Sequence, residues 1–122
     1  MSLITSFGPL VGRILIALIF AFSGWQKLAA PGRTAASLAA LHIPVPTAAA
    51  VAAGALEVLG AVALAIGFRT RAAALVLFLF VLAATWLFHW PGDMTQVMKN
   101  LAIMGGLLVV AGHGPGPVSM NR

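Results

Sequence analysis

Residues 48–67 read AAAVAAGALEVLGAVALAIG, and Glu57 is the sole polar side chain among them. A helix needs about 20 apolar residues to cross the hydrocarbon core of a bilayer. This stretch is therefore read as a membrane span, and the rest of the fold follows from that reading. An ionisable group at such depth costs on the order of 3 kcal/mol on insertion scales. Glu57 is expected to be paired, protonated or turned toward a wet cavity.

The whole 122-residue chain fits the same solvent, being 61% hydrophobic and 7% charged. Soluble domains carry roughly 25% charged residues, so no soluble core would hide this much apolar surface. The length has room for four spans in a single domain covering 1–122. Spans are expected at about 9–29, 47–67, 72–90 and 97–112. Pro44 and Pro46 mark where the second begins. Gly67 suits a helix C-terminus, and Pro91-Gly92 closes the third span. The stretch from Asp93 to Gln96 reads as a polar link, and GHGPG at 112–116 ends the fourth span. A small outer helix fits at Arg33–Leu41. Span 1 lacks the basic leader of a signal peptide and is read as retained. Short turns between spans 2, 3 and 4 force antiparallel neighbours. The fold class is all-α, an integral membrane four-helix bundle running up-down-up-down.

Helical periodicity sorts the faces. On span 2, Ala50, Ala53, Gly54, Gly60, Ala61 and Leu64 share a face with Glu57, while Leu59, Val62 and Ile66 lie behind. Small residues permit close helix approach in membranes, so the Glu57 face is expected to point inward. On span 1 the inward stripe is Arg13, Ala17, Phe20, Gly24 and Lys27, backed by Leu15, Leu18, Phe22 and Trp25. Arg13 and Lys27 flank Glu57 in depth and lie about 21 Å apart along the helix. Either is placed to reach the carboxylate. Such a pair would lock helix register; alternatively, Glu57 binds a proton or a polar head group. Gln26, Lys27, Glu57, His89 and Asn100 fall at one end of the bundle, and with Arg13 they form the candidate ligand set. Each alone also reads as an interfacial anchor.

The formal charge of +5 sits on residues near span ends rather than in a basic run, which fits headgroup contact and not nucleic acid. Arg13, Arg69, Arg71 and Arg122 share one side, against Lys27, Arg33 and Lys99. By the positive-inside rule both termini are expected in the cytoplasm. Trp25, Trp86 and Trp90 fall at the other boundary, as an aromatic belt would. With no cysteine, the chain cannot hold an iron–sulfur cluster or perform thiol chemistry. His89 and His113 end spans on opposite sides and cannot be axial haem partners. No metal-ligand spacing is present.

The segments GRILIALIFAFSGWQKL, ALEVLGAVALAIGFRTRAAAL and NLAIMGGLLVVAGHGPGPVS resemble the DoxX family of small bacterial membrane proteins. The shared pattern falls at Arg13, Gly24 and Lys27, at Glu57 and Gly60, and at Gly67 with Arg69 and Arg71. It continues at Asn100, at Gly105 and Gly106, and at Gly114 to Gly116. The family tail commonly ends Ser-Leu-Asp where this chain has Ser119-Met120-Asn121, so a role for that acid does not carry over. The resemblance implies a four-helix inner-membrane protein. It also implies association with a membrane redox complex, since some members are small subunits of quinone-linked sulfur-oxidising enzymes. A non-thiol redox subunit with an intramembrane pocket for quinone, without covalent cofactor, is the leading expectation. A partner protein would supply electrons, and Gly-rich faces allow a homo-oligomer. A small proton-coupled transporter and a membrane scaffold without catalysis are the alternatives. The cations on span 1 weigh against a carrier of cationic drugs.

Overall fold

The computed structural model describes residues 3–90 and 92–119. Pro91, Met120, Asn121 and Arg122, invoked above for span ends, tail and charge bias, lie outside the described residues. The order is α1 (Leu3–Ala29), α2 (Pro31–Ala40), α3 (Pro46–Ile66), α4 (Thr70–Ala84), a π-helical turn (Thr85–His89) and α5 (Met94–His113). Four segments are long and apolar enough to cross a membrane: α1, α3, α4 with its π turn, and α5. The outward surface carries Leu15, Leu18, Leu59, Val62, Leu79 and Val109, all exposed, as side chains facing lipid should be.

The expected inward stripes are the buried ones. α1 buries Arg13, Ala17, Phe20 and Gly24, and α3 buries Ala50, Gly54, Glu57, Ala61 and Leu64. These two helices make the most extensive pairing in the molecule. They cross at a point of backbone contact: a Cβ on Gly24 would lie 2.7 Å from the Gly54 carbonyl oxygen, and one on Gly54 would lie 3.0 Å from the Gly24 carbonyl oxygen. No side chain fits between them, so glycine is obligatory on both faces. α3 packs on α4 where Gly60 receives Leu77. α4 packs on α5, and α5 meets α1 only lightly, with Ile16 against Gly106. The four helices thus form a ring, tight at three seams and loose at the fourth.

The helix ends correct several expected boundaries. α1 begins at Leu3 rather than Pro9, with Pro9 inside the helix. The stretch from Asp93 to Gln96 is not a link. Asp93 caps α5, its side chain accepting from the Gln96 N–H at 3.2 Å. The fourth span is therefore a full 20 residues. The outer helix forms as α2, starting two residues early, because Pro31 suits a first helical position. Its Ala35 and Leu38 pack on Ala50 of α3.

Candidate functional site

Glu57 sits just past the middle of α3, its side chain 4% exposed. The Gly24–Gly54 crossing brings α1 close enough for Lys27 to donate to Glu57 Oε1 at 2.5 Å. Lys27 also donates to Ser23 Oγ at 2.8 Å, one turn back on α1. Its ammonium stands 5.9 Å from the centroid of the Phe80 ring, within cation–π range. Lysine reaches inward here along its own hydrocarbon stem, covering apolar wall as it does so.

A cavity of about 220 Å³ opens beside this pair. Four walls enclose it: Phe20, Ser23 and Lys27 on α1, Glu57 on α3, Phe80 with Phe88 and His89 at the end of α4, and Gln96, Lys99 and Asn100 on α5. No other partner of the Glu57 carboxylate is found among the described residues, so its remaining acceptor capacity faces this space.

The far wall has its own anchor. Thr85 donates to the Val81 carbonyl at 2.6 Å and accepts from Asn100 Nδ2 at 2.9 Å, all buried. At this point α4 widens by one residue, with the Trp90 N–H bonding the Thr85 carbonyl at 2.9 Å. The π turn, which recurs at functional sites in helices, sets His89 at the cavity wall while Trp86 and Trp90 stack outward at 6.2 Å.

Of the sequence-derived set, Lys27, Glu57, His89 and Asn100 line this one cavity. Gln26 does not; it is exposed on the outer side of α1. Arg13 does not either. It lies at the opposite end, donating to the carbonyls of Leu64 at 2.8 Å and Ala65 at 3.2 Å and to that of Val118. The first two acceptors lie in the last turn of α3, where a cation complements the helix dipole. The expectation that Arg13 reaches Glu57 thus gives way to a helix-capping role. Ser23, Gln96 and Lys99 join the site unannounced. Ser23 was legible four residues before Lys27. Gln96 was not, because the first turn of α5 had been read as a loop. Among the described residues no group of three or more His, Asp or Glu is placed to hold a metal.

The arrangement offers a charge pair, three further donors on α5 and an imidazole around a small aromatic-walled space. It can orient a ligand bearing oxygen acceptors and can pass a proton along Lys27, Glu57 and Ser23.

The DoxX family model matches residues 8–90, which include both members of the ion pair. The inner membrane protein YphA of Escherichia coli K12 is 33% identical, over 93% of this chain and 87% of its own length. The inner membrane protein YqjF of the same strain is 35% identical, over 94% of this chain and 90% of its own. No solved structure matches. With the profile spanning most of the bundle and both relatives aligned nearly end to end, the chain belongs to the DoxX family and is a multi-pass membrane protein.

Proposed function

We propose that this protein is an inner-membrane subunit that binds the head of a quinone-like molecule in the Glu57 cavity and serves a membrane redox complex. The observation that carries this reading is the Lys27–Glu57 pair, whose carboxylate is buried at span depth yet faces a cavity rather than lipid. A pair with only a register-locking task needs no such space. Sites for drug-sized ligands run from about 300 to 1,000 Å³. The 220 Å³ here suits a single ring whose tail leaves the bundle. Exposed Ile19 and Phe88 stand at the cavity's edge, and the loose α1–α5 seam offers the tail an exit. Lys27, Lys99, Asn100 and Gln96 are the donors for ring oxygens, and Glu57 is the proton acceptor of the set.

The chain has no cysteine to ligate an iron–sulfur cluster, and in this reading electrons would come from a partner. The transporter reading is weaker, because Lys27 and Lys99 both line the cavity and would repel a cationic substrate. The test is purification in mild detergent with bound quinone extracted and quantified. Wild type is expected to retain quinone and Glu57→Gln to lose most of it. Equal quinone in both removes Glu57 from the role.

A further inference from the structure

A second cavity lies at the opposite end of the loose α1–α5 seam. It measures about 580 Å³ and is the larger of the two. Its walls are apolar and glycine-rich: Gly8, Gly12 and Ile16 from α1 face Gly106 and Val109 from α5. A Cβ on Gly12 would meet nothing within 4 Å, so the helices leave real space there. Ile16, packed on Gly106, separates this cleft from the Glu57 cavity and lines only the former.

The charge around the cleft is one-sided. Arg13 stands in its wall, 1% exposed, bonded only to neutral carbonyls, and its Nε–H finds no acceptor among the described residues. His113 lines the mouth and is exposed. Gly114 also lines it, and the Arg71 guanidinium lies directly against that glycine: a Cβ there would be 3.1 Å from Arg71 Nε. Neither side-chain acid of the chain balances this end. Glu57 is taken by Lys27, and Asp93 caps the far end of α5, a helix about 30 Å long. An apolar slot running into the bilayer under a basic rim is matched by one occupant. That is an acyl chain carrying a negative head group, and basic pockets between spans on the cytoplasmic side are suited to such lipids.

We infer that the α1–α5 cleft is a binding site for an anionic phospholipid, one acyl chain lying against Gly8, Gly12 and Val109 and its phosphate at Arg71 and His113. The site is separate from the Glu57 cavity and does not depend on the function proposed for it. Occupancy would complete the seam the protein leaves open and set a negative charge near Arg13.

The test uses delipidated protein in detergent, titrated with phosphatidylglycerol or phosphatidylcholine of identical chains and read by native mass spectrometry. Wild type should hold phosphatidylglycerol about tenfold more tightly, a difference well resolved by such titrations. The paired rim variant Arg71→Gln with His113→Gln should bind both lipids equally. Gly12→Leu puts its side chain into the slot, where a Cβ meets nothing within 4 Å, and should lose both lipids while keeping its helical circular dichroism and melting temperature. Equal retention of the two lipids by wild type, or undiminished retention by Gly12→Leu, overturns the inference. Displacement of the lipid by free glycerol phosphate overturns it too, because the head group alone would then suffice. So does a cysteine cross-link between two copies through Gly12, which would make the cleft a protein interface.

Discussion

At the residue scale the molecule turns on one buried cation, one half-buried cation and one buried acid, and they do different work. Arg13 ties α1 to the last turn of α3 and to the tail through backbone carbonyls, and it crowds Gly67, where a Cβ would lie 2.7 Å from its Nη1. Gly67 has φ +76°, the left-handed conformation that glycine adopts without cost. Arg13→Met should therefore destabilise the bundle by roughly 3 kcal/mol, since several carbonyl partners lose a charged donor together. Chemical denaturation in micelles would measure it. The Lys27–Glu57 pair is separable from stability. Removing one member strands the other charge, at about 3–5 kcal/mol, whereas replacing both by apolar residues of similar size is often neutral. Lys27→Met combined with Glu57→Met should thus melt near wild type yet carry no quinone. If the double variant retains quinone, the pair is a structural lock and the proposed role fails even though the fold stands.

At the element scale, two devices shape the Glu57 cavity: the glycine crossing of α1 and α3, and the π turn at the end of α4. The crossing was legible in sequence. Gly24 and Gly54 each fall on the stripe shared with an ionisable residue, and helical spacing alone turns both inward. The π turn was not. Thr85 and His89 suit an ordinary helix by spacing, and the extra residue is accommodated only because Asn100, on another helix, holds Thr85. The cap at Asp93 was hidden for a related reason. A polar Asp-Met-Thr-Gln run suits a loop as well as a first helical turn, and the Asp93–Gln96 bond that decides between them is local geometry. Gly54→Leu should separate α1 from α3 and abolish the folded protein in detergent, as seen by loss of a cooperative melt. Asn100→Leu should leave the bundle folded with a loss of roughly 1–2 kcal/mol for the broken buried bonds. It should also release His89 from the cavity wall, which the chemical shift of the imidazole in a labelled sample would report.

At the scale of the whole molecule, the two ends of the bundle differ in character. One end has Arg13, Arg69 and Arg71 with the closing loop of the tail; the other has the outer helix α2, the exposed tryptophans Trp25, Trp86 and Trp90, and the mouth of the Glu57 cavity. The charge bias that sequence shows is thin by count, four against three, and one of the four, Arg122, is outside the described residues. The structure sharpens the contrast in kind. Lys27 is drawn into the bundle by Glu57, whereas Arg13 ties α1 to the last turn of α3 and to the tail at the opposite end. An excess of Lys and Arg close to span ends is held on the cytoplasmic face, and Arg13, Arg69, Arg71 and Arg122 outnumber the other end's three, so the arginine end should be cytoplasmic and the Glu57 cavity should open to the periplasm. Because the chain has no cysteine, single introduced thiols report this without interference. Thr95→Cys, exposed in the first turn of α5, should react with a membrane-impermeant maleimide in intact cells. Phe68→Cys, exposed in the turn between α3 and α4, should react only after the membrane is permeabilised. The reverse pattern would turn the cavity toward the cytoplasm, and any partner delivering electrons or protons to Glu57 would have to be sought there.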